Sequence, residues 1–233
     1  MKPQNGALAS EVQLRPLLAL LQLASPALPV GGFAYSQGLE QAIAAGVVRD
    51  LTSARCWIAD LLALMLARQE APLWLRVFDA ATARDDTAFA RWNGELVAAR
   101  EAAELRAESQ QMGQSLLRIF PALGLAAPPL AAGEPIAYAS AFAVACAGLG
   151  IERNAGLTAY LWSWLETQVL VAVKSVPLGQ RAGQALLFTL HGPLAAAVTT
   201  AAARTDDEIG SAAINFALLC VRHETQYSRL YRS

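Results

Sequence analysis

The chain has 233 residues, 55% of them hydrophobic and only 16% charged, with a formal net charge of −1. That length supports one sizeable core, and the near-neutral charge excludes the polyelectrolyte field that nucleic-acid binding requires. Alanine and leucine dominate while aromatics are 7%, a balance that favours helices over sheets.

Cys56, Cys146 and Cys220 stand far apart with no CxxC, which fits a reducing compartment and buried thiols acting as small hydrophobes. The opening MKPQNGALASEVQLRPLL lacks a continuous apolar run followed by a cleavage site, so no signal peptide is expected and the expected location is cytoplasmic. Residues 1–13 are expected to be flexible.

In chain order, Leu14 to Leu23 reads as a short apolar helix, broken by the prolines and glycines of PALPVGG (Pro26 to Gly32). Ser36 to Ala45 reads as a second helix with Gly46 as its stop. Thr52 is a candidate cap for a helix to Glu70, with another after Pro72 running to Ala83. Asp85 and Asp86 suit the N-terminus of the next helix. The run from Arg84 to Glu108 is densely charged, with Arg91–Glu95 and Arg100–Glu104 at i, i+4, the pattern of a solvated helix face. Pro121 to Pro135 reads as a loop or lid.

Ile136 to Leu149 and Gly156 to Val173 read as helices about a turn near Asn154. The second is apolar nearly all round (YLWSWLETQVLVAV), which predicts a central buried helix. Lys174, with Lys2 one of the chain's two lysines, falls at its C-terminal end, where a cation complements the helix dipole. Pro177 suits the first position of the following helix, with Ser175 as a nearby cap. Ala182 to Ala203 is uncharged and long enough to span a bilayer, but Gln184, His191 and Gly192-Pro193 interrupt it. A buried helix pair bent at Gly192-Pro193 explains it better than a membrane span. Asp206 to Cys220 is the last full helix expected. The fold class that emerges is all-α, a single helical-bundle-like domain over residues 1–233, with about ten helices and a C-terminal tail at 221–233.

Catalytic and metal-binding kits are missing. There is no GxxxxGK[ST] and no GxSxG, and two histidines and three cysteines without ligand spacing make no dedicated metal cage. No catalytic residue and no metal ligand is assigned, and a hydrolase using Ser36 or Tyr35 lacks the groups that would activate them. Chemistry concentrates elsewhere. Gly31 and Gly32 are followed by Tyr35, Ser36, Gln37 and Glu40, more polar and aromatic character than a plain loop needs. Lys174, Pro177 and Gln180 mark a helix–helix corner able to face a partner. The tail carries Arg222, His223, Glu224, Tyr227, Ser228, Arg229, Tyr231 and Arg232. On a helix His223, Tyr227 and Tyr231 would share one face. Tyrosine and arginine are the residues of interface hot spots, so the tail reads either as a last turn folded on its own body or as a docking tail that orders on a partner.

Four segments together, LLQLASPALPVGGFAYSQGLE (residues 20–40), ELRAES–QMG–SLLR (Glu104 to Arg118), VKSVPLGQ (Val173 to Gln180) and RHETQYSRLYRS (Arg222 to Ser233), resemble the UreF family of urease accessory proteins in order and spacing. Ala34 departs from it, standing where serine is frequent. The resemblance implies an all-helical, cytoplasmic, non-enzymatic protein. It further implies assembly with UreD (UreH in some organisms) and the GTPase UreG on apo-urease, regulation of GTP hydrolysis, and nickel insertion, with nickel and GTP handled by the partners and no cofactor bound by this chain. Tail docking on UreD, a GTPase-facing surface around Lys174 and homodimerisation are further implications. The competing expectation, from the alanine-rich helices, is a stand-alone helical module for a small apolar ligand.

Overall fold

The computed structural model describes residues 4–131, 133–176 and 178–233, with side chains from residue 14 onward; Pro177 lies outside the described residues. It is all-α, with no strand among those residues. Helix α1 (Gln4–Ala24) begins well before Leu14 and includes residues 4–13. It leads through a 3-10 turn (Gly32–Ala34) to α2 (Leu39–Ala44). The second helix starts three residues later than expected because Gln37 (φ 50°) and Gly38 (φ 75°) are both left-handed, a conformation that cannot continue into a helix.

Helix α3 (Leu51–Leu61) is capped by Asp50 rather than Thr52. The Asp50 carboxylate accepts the Ser53 N–H at 2.8 Å, and Ser53 Oγ accepts the Asp50 N–H at 3.1 Å. No break follows. A π-helical stretch (Leu62–Glu70) joins α3 directly to α4 (Ala71–Ala83), carrying the rod through Pro72. Proline has no N–H to return to the carbonyl four residues back, and the Arg68 carbonyl instead accepts the N–H of Gly210 at 3.0 Å. Leu64 likewise accepts from Ala212 at 2.9 Å. These bonds hold residues 209–213 off any helix. The expected helix from Asp206 therefore becomes a 3-10 turn (Asp206–Glu208), a strap along the rod, and a later helix.

The remaining helices are α5 (Asp86–Ala98), α6 (Ala103–Ile119), α7 (Tyr138–Gly148), α8 (Arg153–Ser175), α9 (Gln180–Thr189), α10 (His191–Ala203) and α11 (Ile214–His223). Asp85 caps α5 as expected, accepting from Ala88 N–H at 2.9 Å. Ser175 ends α8 instead of capping α9, which Gly179 precedes. The apolar stretch Gln180–Ala203 has the length and composition of a membrane span, but its turn is at Leu190 (φ −94°, ψ −1°), ahead of Gly192-Pro193. Only a third of it is buried, so the pair is amphipathic rather than internal.

Burial explains the architecture. Alanines 139, 141, 143 and 145 of α7 are buried, and their small side chains let α4, α6 and α8 close around that helix. Trp74 stacks on Phe78 with centroids 5.5 Å apart, and Tyr160 meets Phe142 edge-on at 5.4 Å, the offset and T-shaped geometries aromatic rings prefer. The α8 helix is buried along most of its length, as its composition predicts. Burial pushes the Cys146 thiol up to about 12 and raises Cys220 further, so both are inert hydrophobes; Cys56, on the outer face of α3, is exposed.

Candidate functional site

The tail meets the 25–40 segment on the faces of α6 and α8. Four elements contribute, and the positive φ at Gln37 is where they converge. Left-handed geometry costs a non-glycine residue about 1 kcal/mol or more. Here it aims the Gln37 amide into the body, where its Nε2 donates to Glu108 Oε1 at 2.5 Å and its Oε1 accepts Trp164 Nε1–H at 2.6 Å. Ser36, fully buried, donates both its N–H (2.9 Å) and its hydroxyl to the Ser233 carbonyl. Ser233 Oγ donates to Glu108 Oε2 at 2.6 Å, and Gln168 Nε2 donates to the Ser36 carbonyl at 3.1 Å.

A second cluster holds the tail further back. The Glu40 carboxylate accepts the N–H groups of Leu230 (2.7 Å) and Tyr231 (3.0 Å) and faces His223 Nε2 at 3.2 Å. His223 Nδ1 lies 2.7 Å from Glu104 Oε2, and Glu104 Oε1 pairs with Arg229. Glu224 accepts the first free N–H of α6, from Ala103, at 2.7 Å, a favourable place for a carboxylate. Arg232 N–H donates to the Ala34 carbonyl at 2.9 Å. Tyr35, buried, donates its hydroxyl to Gln111 at 2.9 Å; burial first and the Glu108 charge second raise its pKa, against the pull of Arg232.

Below the tail lies a cavity of about 100 Å³ whose lining includes Tyr35, Arg100, Glu108, Tyr160, Trp164 and Tyr231. Arg100 pairs with buried Glu70, which also accepts the Tyr160 hydroxyl. Burial raises the Glu108 carboxyl above its ordinary range, opposed by the hydrogen bonds from Ser233 and Gln37 and by the charge of Arg100. Among the described residues no group of three or more His, Cys, Asp or Glu side chains is arranged to hold a metal ion.

These positions sort the residues singled out in the sequence. Tyr35, Ser36, Gln37, Glu40, His223, Glu224, Arg229, Tyr231 and Arg232 come together. Gly31 (φ 78°) makes the turn before them, and a side chain on Gly32 would press Met112 Cε at 3.3 Å. Arg222, Tyr227 and Ser228 are exposed beside the cluster; Lys174, also exposed, is among the residues lining the cavity, whereas Gln180 is exposed outside it. The shared helical face of His223, Tyr227 and Tyr231 does not exist. Helix α11 ends at His223, and the three side chains diverge: His223 is 0% exposed, Tyr231 9% and Tyr227 104%. Glu40 takes the tail's N–H groups and so replaces the helical hydrogen bonds.

Sequence reasoning missed Glu104, Glu108, Trp164, Gln168 and Arg100. The charged run to Glu108 is a solvated face only in its first half. Arg100 lies between helices and pairs with Glu70 rather than Glu104, while Glu108 is 3% exposed. The available signal was the i, i+4 spacing of Glu104 and Glu108 in ELRAES, which sets both on one face of α6.

Known proteins resemble this chain over most of its length. The family model UreF matches residues 48–191. Urease accessory protein UreF of Cupriavidus pinatubonensis is 47% identical over 94% of this chain and 99% of its own length, and that of Delftia acidovorans is 47% identical over 96% and 100%. The bifunctional urease accessory protein UreEF of Bordetella bronchiseptica is 48% identical over 99% of this chain, which spans 56% of that protein. The chain therefore belongs to the UreF family of urease accessory proteins.

Proposed function

We propose that this chain is a non-enzymatic scaffold for urease maturation that joins a UreD/UreH-type accessory protein and the GTPase UreG on apo-urease. Its setting is the cytoplasm, and nickel is cargo carried by the partners, as is GTP, with no cofactor resident in this chain. One observation carries the proposal: the tail is two-sided. Its inner side is pinned by Glu40, Glu104 and Glu108, while Tyr227 (104% exposed) and Leu230 (79%) face outward on either side of Arg229 in the chain. Exposed aromatic and aliphatic groups next to arginine have hot-spot chemistry, and a pre-ordered tail avoids much of the entropy cost of ordering on a partner.

Other exposed features suit further contacts. Leu14, Leu17, Leu18 and Leu21 form an exposed apolar stripe along α1, larger than isolated surface leucines warrant and suited to a second copy or to urease itself. Lys174, exposed with Gln180 at the α8–α9 corner, is the proposed contact for the GTPase, through which this chain regulates hydrolysis. The small-ligand alternative gains nothing from the Glu108 cavity, because about 100 Å³ is well under the roughly 300 Å³ at which ligand pockets begin; the larger space of about 420 Å³ beside Trp162, His191 and Leu194 is an open groove on the α8–α10 surface.

The test is the double variant Tyr227→Ala/Leu230→Ala, co-expressed with the cognate UreD protein and run on size-exclusion chromatography with light scattering. Because both side chains are solvent-facing, thermal stability should be unchanged while the complex is lost. Undiminished co-elution would overturn the docking assignment.

A further inference from the structure

Both ring nitrogens of His223 face carboxylate oxygens, Nδ1 toward Glu104 and Nε2 toward Glu40, and the ring is 0% exposed. A neutral imidazole carries one N–H and one lone pair. With a single proton, one nitrogen would point its lone pair at a carboxylate with no water to intervene. With two protons, both contacts are hydrogen bonds. Charge balance agrees: an imidazolium and the Arg229 guanidinium offset Glu40 and Glu104, whereas a neutral ring leaves one negative charge in excess.

The same two carboxylates hold the tail. Glu40 binds the N–H groups of Leu230 and Tyr231, and Glu104 binds Arg229. Among the described residues, His223 is therefore the one side chain joined to both clamps. The charged and titratable groups around it are Glu40 from α2, Glu104 from α6, Arg229 from the tail and Cys220 on its own helix. Arg100, Glu101 and Glu108 add their fields at Cys220, and Arg222 and Glu224 flank the ring in sequence.

We propose that His223 is a proton-operated latch for the tail: doubly protonated, it ties Glu40 and Glu104 together and keeps residues 229–231 docked, and on losing one proton it releases them from those carboxylates, while Ser233 stays held by Ser36 and Glu108. Release withdraws the Tyr227–Leu230 face from its fixed position. The latch is a property of this chain alone, so its test needs no partner and stands apart from the docking assignment above.

Amide hydrogen exchange, corrected for intrinsic rates, would be followed at Leu230 and Tyr231 at a mildly acid and at a mildly alkaline pH. Protection should fall about tenfold or more at the higher pH, the equivalent of one hydrogen bond to a charged group, with amides of α8 unaffected. His223→Gln should show the low protection at both pH values. Glu104→Gln should keep the tail protected at the higher pH, because its amide can donate to the free imidazole nitrogen; this partly exposed site also decides the matter if His223→Gln fails to fold. Equal wild-type protection at both pH values, or a pH dependence that persists in both folded variants, would overturn the latch.

Discussion

Gly113 lies in α6 where that helix crosses the segment entering α7, and a Cβ there would stand 2.6 Å from the Ile136 carbonyl oxygen and 3.1 Å from the Ala137 carbonyl carbon. The first distance is about 0.8 Å short of ordinary van der Waals contact, and the obstacle is backbone, which cannot rotate aside. Gly113→Ala must push α6 away from residues 136–137, an overpacking cost of about 3 kcal/mol, of which helix propensity returns about 1 kcal/mol. The net loss is about 2 kcal/mol, a fall in Tm of roughly 4–8 °C for a chain of this size. Gly94 is the control: it sits exposed in α5 with nothing within 4 Å of its Cβ position, so Gly94→Ala should gain about 0.5–1 kcal/mol from propensity and the unfolded state. Urea unfolding followed by circular dichroism measures both. The same chemical change should act with opposite signs, and a common sign at the two glycines would refute the reasoning. The shift also reaches the tail cluster, since α6 carries Glu104, Glu108 and Gln111, and Ser109 Oγ accepts the Tyr138 N–H at 3.2 Å across the same crossing.

Arg100→Ala should cost about 3–5 kcal/mol, because it strands a buried carboxylate at Glu70; adding Glu70→Gln should recover part of that loss in the same urea assay. For Glu108, burial raises the folded-state pKa above its unfolded value, so its contribution to stability is present at low pH and is lost as pH rises through the raised value. Glu108→Gln removes that proton uptake, and its urea midpoint should fall less between mildly acid and mildly alkaline pH than the wild-type midpoint does. Lys174→Ala should weaken binding of nucleotide-loaded UreG in calorimetry with a stability change of less than about 0.5 kcal/mol, as for other exposed positions; equal affinities would remove Lys174 from that surface.

The helices were legible where side-chain pattern decides structure. The apolar circumference of α8 and the acidic start of α5 gave their places directly. Boundaries failed where backbone hydrogen bonding across the chain decides. Nothing local in residues 206–213 announces that Gly210 and Ala212 donate to Arg68 and Leu64, and nothing in the 62–72 sequence marks the π-helical register that carries the rod through Pro72. At the site, the residues with unusual chemistry in segment 25–40 and in the tail were evident, since polar groups beside glycines and prolines need partners. The partners were not, because Glu108 and Glu40 look like any surface glutamate until the fold buries them. Burial separates the tail's inner side chains, which fold on the body, from its outward ones, which stay exposed.

The strap at residues 209–213 makes the rod and the tail mechanically one piece. Two main-chain hydrogen bonds fix its register on the π-helical stretch, only one turn from Glu70 in that stretch. Helix α11 follows the strap directly, and the tail follows α11. A displacement of the tail is thus resisted by the rod rather than by a slack connection. Strain at Tyr227 or Leu230 has a short covalent and hydrogen-bonded route through Leu64 and Arg68 to the Glu70–Arg100 pair.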